Sequence, residues 1–331
     1  MSNIQSLSIC VPCGCPNNCA YCGTRMRGKD ANPYPNMIEG NEAYHGLYEK
    51  MYQKRLAYAR DNGCNVMMFT GAGEPMANLS FLIRVGRMNR GLASPFRRVE
   101  LQTSGIKLLE DDSMLAGLRG LVGVDTISLS LADVFDSENN ARIQGISPEN
   151  YFDIRELCET ICRSDINLRL SLNMSDVYNG VPPEKIFETA RLLGANQITF
   201  RKLYIDSAYA DSVQAKWIVD HPYVRKTPRF FTDREREIIN GPRVTRAFVD
   251  ITEEWIHDGM RDIDHYIARN GTPLEVLPFG ETRYSVHGMS TVADLDCMSK
   301  EVKPDGSIKY LILREDCHLY TRWDDPGSRL F

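Results

Sequence analysis

The chain has 331 residues, of which 43% are hydrophobic and 25% charged, with a formal net charge of −5. This is ordinary globular composition, with enough chain for a large core in one domain or two. It excludes an overall basic field for polyanions, and no apolar stretch is long enough to span a bilayer.

A short apolar strand over 7–11 runs into a cysteine-rich loop. A helix is predicted over 38–60 and a second strand over 65–69, ending in the turn Thr70-Gly71-Ala72-Gly73-Glu74-Pro75. Helix 79–90 leads to strand 98–103, and a short helix near 111–118 leads to strand 126–131. Helix 148–164 and strand 167–172 follow. Helix 182–193 has Pro182-Pro183 for its first turn and Gly194 for its end, and strand 197–201 completes the series. Six strands separated by helices imply a parallel sheet built from right-handed crossovers. The alternation alone allows an open doubly wound sheet or a partial barrel.

After Tyr204 the pattern changes. Residues 205–246 are polar and irregular, broken by Pro222, Pro228 and Pro242. A helix over 249–269 is expected, with Trp255, Met260 and Ile263 as apolar contacts. Short strands over 274–277, 283–287, 307–314 and 318–323 predict a small antiparallel element. The expected division is a core over 1–204 and a C-terminal extension over 205–331 that covers the substrate side.

The loop after the first strand reads Cys15-Pro16-Asn17-Asn18-Cys19-Ala20-Tyr21-Cys22, a C-x3-C-x2-C spacing. Three thiolates from one loop can bind three irons of a cubane cluster, leaving the fourth iron open. A structural zinc site would close with four ligands. Cys10-x2-Cys13 could pair with Cys19-x2-Cys22 as a zinc knob, and spacing leaves that open. Disulfides are not expected. The N-terminus MSNIQSLSIC has no secretory pattern, and a reducing cytoplasmic setting keeps thiols free.

With Tyr21 just before its last cysteine, this loop resembles the signature of the radical S-adenosylmethionine (SAM) superfamily. The resemblance implies an α/β fold, a partial (β/α)6 TIM-like barrel with a small C-terminal α+β extension carrying antiparallel strands. It implies a [4Fe-4S] cluster on Cys15, Cys19 and Cys22, whose open iron chelates SAM. It also implies reductive cleavage of SAM to a 5′-deoxyadenosyl radical that abstracts a substrate hydrogen. In barrels, chemistry collects at the C-terminal ends of strands, where this loop falls.

The turn after the second strand has glycines that let backbone approach a ligand closely, with a carboxylate beside them. It resembles the family's Gly-Gly-Glu-Pro motif, with Ala72 departing from the double glycine. The resemblance implies Gly73, Glu74 and Pro75 at the SAM amino group. The ending Gln102-Thr103-Ser104-Gly105 is similar to the family's Thr-Asn-Gly type, with Ser104 in place of asparagine. Ile127-Ser128-Leu129-Ser130 resembles the strand whose serine meets the SAM ribose. Thr103 and Ser128 are therefore candidate SAM contacts, the alternative being that each hydroxyl satisfies its own strand end. A buried Arg169 needs a partner. The SAM carboxylate suits a guanidinium, and a barrel carboxylate is the alternative. Tyr21 and Asn173 are further candidates for cofactor binding, and Arg201 could serve SAM or substrate.

Cys10, Cys13, Cys297 and Cys317 could close a second cubane, with His287 and His318 as further donors, or be unpaired. Cys64, Cys158 and Cys162 read as small buried hydrophobes. The expected partners are a small-molecule substrate (metabolite, nucleotide or sugar) and an electron donor such as flavodoxin or ferredoxin. No membrane, nucleic-acid or cobalamin partner is expected. Radical SAM modification of a peptide or tRNA is the alternative. A non-catalytic zinc or iron–sulfur binding protein is the rival, and it does not need Gly73-Glu74-Pro75 where it stands. Radical chemistry requires water to be kept out, and the segment after Tyr204 is expected to do so.

Overall fold

A computed structural model describes residues 4–39, 42–111, 113–224, 257–277, 281–292, 308–323 and 325–330. Cys297, Trp255, Pro228, Pro242 and the predicted helix before residue 257 lie outside the described residues.

The six predicted strands form and lie side by side in parallel. They are β1 (Ser6–Cys10), β2 (Val66–Thr70), β3 (Arg98–Thr103), β4 (Thr126–Leu131), β5 (Asn167–Asn173) and β6 (Gln197–Arg201). Successive side chains of a strand point to opposite faces. One face supplies Ile9, Phe69, Leu101, Leu129, Leu170 and Phe200 to a single apolar core. The other face presents Ser8, Met68, Glu100, Gln102, Ser128, Ser130, Arg169, Ser171, Asn173, Thr199 and Arg201. The sheet is thus apolar toward its helices and polar toward the hollow of the barrel.

The helices are α1 (Gly23–Arg27), α2 (His45–Asp61), α3 (Leu79–Arg90), α4 (Met114–Gly117), α5 (Ser137–Gln144), α6 (Ile154–Arg163), α7 (Pro183–Leu192), α8 (Val213–Asp220) and α9 (Met260–Asn270). Tyr52 and Leu56 of α2, Phe81 and Leu82 of α3, Leu157 of α6 and Phe187 of α7 bury their side chains in the common core. Helices α5 and α8 were not predicted. Each begins at a capping side chain, Asp136 accepting from Glu138 N and Asn139 N, and Ser212 accepting from Ala215 N. That cap was the available signal for both.

The C-terminal strands are β7 (Thr272–Val276), β8 (Thr282–Val286), β9 (Met289–Val292), β10 (Tyr310–Leu313) and β11 (Leu319–Tyr320). The predicted strand over 283–287 is the first arm of a hairpin. Its turn, His287-Gly288, has φ of 51° and 83°, the left-handed pair of a tight two-residue loop.

The eleven strands form one sheet in the order β11-β10-β1-β2-β3-β4-β5-β6-β9-β8-β7. Strand β10 pairs in parallel with β1, and β9 in parallel with β6. Sequence reading set these strands apart as one antiparallel element. They instead extend both edges of the barrel sheet, with antiparallel β11 at one end and β8-β7 at the other. The physical reason is that β1 and β6 would otherwise be edges with unpaired backbone groups. Among the described residues β11 and β7 do not pair with each other, and the barrel is unclosed. Among the described residues no helix is long and apolar enough to cross a membrane.

Candidate active site

The cysteine loop leaves β1 and is seated on the turn after β2. A Cβ added to Gly73 would lie 2.3 Å from Cys13 O and 2.5 Å from Gly14 O, so only glycine allows this approach. Glu74 N donates to Gly14 O at 3.0 Å, and the Cys13 thiol donates to Glu74 O at 3.2 Å. The other flank of the loop rests on the end of α5. Asn18 N donates to Gly145 O at 3.2 Å and Ala20 N to Ile143 O at 3.0 Å. Gly145 has φ of 56°, and a Cβ there would meet Asn18 O at 2.5 Å. From within, Arg25 Nη2 donates to Asn17 O at 2.6 Å.

On this loop Cys15 is exposed, while Cys19 and Cys22 are half-buried. Burial, then the neighbouring Cys22 and Cys15, push the Cys19 thiol up to about 12. Burial likewise raises Cys15. The three thiols are therefore close enough to repel one another as anions. Among the described residues, no three His, Cys, Asp or Glu side chains converge on one metal ion. A cubane asks for something else, three thiolates spread over three separate irons. Three neighbouring thiols on one loop, held by the close backbone contact at Gly73, are a donor set that fits such a cluster.

Glu74 is 3% exposed and fully engaged. Its Oε1 accepts from Met76 N at 3.1 Å and Thr103 Oγ1 at 2.7 Å. Its Oε2 accepts from Ser104 N at 2.8 Å and Ser104 Oγ at 2.7 Å. Four donors occupy the lone-pair sites of a carboxylate. Glu74 thus fastens the turn after β2 to the end of β3, and Pro75 follows as the buried first residue of the helical turn Pro75–Asn78. Thr103 Oγ1 also accepts from Gly105 N at 3.1 Å, so it serves its own strand end as well as Glu74. Sequence reading noted Ser104 only as a substitution and missed that it supplies half of this clamp.

Asn173 closes the opposite wall. Its Nδ2 lies 3.0 Å from Tyr21 Oη and 3.0 Å from Ser130 Oγ, joining β5, β4 and the cysteine loop. The Tyr21 ring packs 5.9 Å from Trp217 of α8. Deeper in the hollow, Ser128 is buried, in register with Gln102 and Arg169.

Arg169, for which sequence left a SAM carboxylate or a barrel carboxylate open, meets a barrel carboxylate in this structure. Its Nη1 donates to Glu100 Oε2 at 2.5 Å, and its Nε and Nη2 donate to Gln197 Oε1 at 2.9 and 2.6 Å. The reason is Glu100, 3% exposed, which would otherwise be a buried charge without a partner.

Of the remaining cysteines, Cys10 packs with Tyr310, Ile312 and Tyr320, whereas Cys317 belongs to the main core. Burial raises both thiols, Cys317 to about 12. Cys64 and Cys158 are buried as expected, but Cys162 is exposed. His287 Nε2 sits 2.8 Å from Tyr266 Oη, and His318 Nδ1 sits 3.4 Å from Asp316 Oδ2.

A parallel α/β sheet thus carries a thiol loop at the C-terminal end of its first strand, seated on a glycine turn of its second. The sequence profile of the Radical SAM superfamily matches residues 9–193, and the chain belongs to that superfamily. The native anSMEcpe structure with bound AdoMet is 12% identical, with a TM-score of 0.52 over 98% of this chain and 77% of that one. The same protein with AdoMet and the Cp18Cys peptide is 13% identical, with a TM-score of 0.50 over 96% and 73%. Coproporphyrinogen III oxidase (HemN) from Escherichia coli is 12% identical, with a TM-score of 0.44 over 82% and 54%. At these identities the likeness to the two anSMEcpe structures is one of fold. No curated protein matches the sequence.

Proposed function

We propose that Cys15, Cys19 and Cys22 hold a [4Fe-4S] cluster and that the enzyme uses SAM to abstract hydrogen from a small molecule bound in the polar hollow. The observation that carries this reading is the seat of the cysteine loop on Gly73 and Glu74. The cluster, when bound, supplies the electron that cleaves SAM to methionine and a 5′-deoxyadenosyl radical. The chain's own residues bind and shield. The backbone of Gly73 and Glu74 offers its polar edge to the SAM amino group, while Thr103 and Ser104 hold Glu74 in place. Asn173 fixes Tyr21 and with it the loop's last turn. Ser128 and Ser130 line the hollow with hydroxyls for the SAM ribose or the substrate.

The segment after Tyr204 acts as the substrate-side cover in this reading. Its attachment to the cysteine-loop helix supports that role, through Arg27 Nε to Asp206 Oδ2 at 2.9 Å and Tyr209 Oη to Asp30 Oδ2 at 2.6 Å. Flavodoxin or ferredoxin would bring the electron.

The test is anaerobic reconstitution with iron and sulfide, reduction with dithionite, and addition of SAM. We expect 5′-deoxyadenosine from the wild type and none from Cys19→Ala. A fully loaded cluster whose EPR spectrum is untouched by SAM would sink the reading.

A further inference from the structure

The polar face of the barrel carries an unbalanced cation. Among the described residues of β1 to β6, the charged side chains on this face are Arg98 at the exposed start of β3, then Glu100, Arg169 and Arg201. Glu100 and Arg169 form an ion pair at 2.5 Å and neutralise each other. Arg201, at the end of β6, has no carboxylate of its own. Its Nε donates to Ser171 Oγ at 2.6 Å, and its two Nη groups meet no protein acceptor among the described residues. Desolvation pulls Arg201 below the usual guanidinium range, Glu100 opposing this and Arg169 adding to it. A guanidinium half-taken from water with its fork unused is poised for an anion.

The level at which this fork sits matters. Arg201 is in register with Asn173, which meets Tyr21 of the cysteine loop. Its side chain, however, turns down the hollow to Ser171, two residues and about 7 Å further from the loop along β5. Around it lie hydroxyls and amides, Thr199 level with Ser171, and Gln197 held by Arg169. Glu74, by contrast, is bound at the ends of β2 and β3, where the loop is seated.

We propose that Arg201 anchors an anionic group of the substrate, a carboxylate or a phosphate, below the level of SAM. This rests on the function proposed above and names its substrate as an anionic small molecule. The planar fork would take two oxygens of the anion, with Ser171 holding the guanidinium in place.

The test uses the reconstituted holoenzyme with SAM and no turnover. Inorganic phosphate and succinate are titrated at constant ionic strength against chloride, with thermal stability as readout. One of the two should raise the melting temperature of the wild type, and which one does distinguishes a phosphate from a carboxylate substrate. Arg201→Met should weaken the response at least tenfold and Arg201→Lys should restore part of it, with the SAM dissociation constant unchanged within twofold. Arg201→Gln replaces the methionine variant if that one does not fold. An equal response in wild type and charge-removed variant overturns the proposal. So does a tenfold loss of SAM affinity, which would assign Arg201 to the SAM carboxylate. The titration needs no 5′-deoxyadenosine, so its failure and the failure of the radical chemistry are read separately.

Discussion

Gly73 shows how a single residue sets the site. Its backbone lies against Cys13 and Gly14, with the nearest oxygen 2.3 Å from where a Cβ would stand. Gly71, not position 72, carries the left-handed backbone, with φ of 147° and the Val11 backbone 3.1 Å from its absent Cβ. That is why Ala72 is tolerated where the family pattern has the first of its two glycines. We predict that Gly73→Ala displaces the cysteine loop. Iron content after reconstitution should fall, SAM affinity should drop at least tenfold, and circular dichroism should stay near wild type. Normal iron loading and SAM affinity in this variant would show that the contact does not shape the site. The identity of Gly73 was legible in its motif, whereas its contact partner lies about 60 residues earlier and was not.

At the scale of elements, the polar face is stitched across strands by Arg169, which reaches Glu100 on β3 and Gln197 on β6. Removing one partner of a buried pair leaves the other charge uncompensated, at about 3 kcal/mol or more. Because the Arg169 side chain is 23% exposed, we expect the lower end of that range for Arg169→Met. Adding Glu100→Gln should recover most of the loss. Urea melts of the two variants check both statements, and an additive double mutant would deny the coupling. The strand pattern Asn167-Leu168-Arg169-Leu170-Ser171-Leu172 set Arg169 opposite the leucines but did not tell whether it faces into the barrel or out. It could not tell which of several polar groups on neighbouring strands Arg169 would meet.

The whole molecule is tied together where the chain's last strands return to its first. Strand β10 lies along β1, and the turn after it carries Arg314 against the rings of Tyr34, Trp323 and Tyr320 at 4.1, 5.4 and 5.5 Å. Such contacts add attraction for a desolvated cation. Beside it Glu315 is 2% exposed, its Oε1 accepting from Asn32 Nδ2 at 3.0 Å and its backbone O from Met37 N at 2.9 Å. Burial raises the Glu315 carboxyl above its ordinary value, opposed by a backbone hydrogen bond and Arg314. A carboxyl raised on folding favours the folded state most when protonated. Its contribution is present below the ordinary carboxylate range and is lost as pH rises through the raised value. Glu315→Gln should therefore gain stability relative to wild type as pH rises from about pH 4 toward pH 7. A melting-temperature difference that is flat over that window would contradict this.

The sequence by itself determined the six central strands, the order of the motifs along them, and the cysteine loop at the end of the first. All of these are written in consecutive residues, as a two-residue alternation, a turn chemistry or a cysteine spacing. The tertiary structure alone decided that β10 and β9 extend the sheet at opposite edges, that Gly145 supports the cysteine loop, that Ser104 completes the Glu74 clamp, and that Arg201 keeps its fork unused. Each of these is a meeting of residues distant in the chain. A strand's periodicity fixes the face a side chain takes, but the neighbour on that face is chosen by backbone pairing and burial across the whole fold.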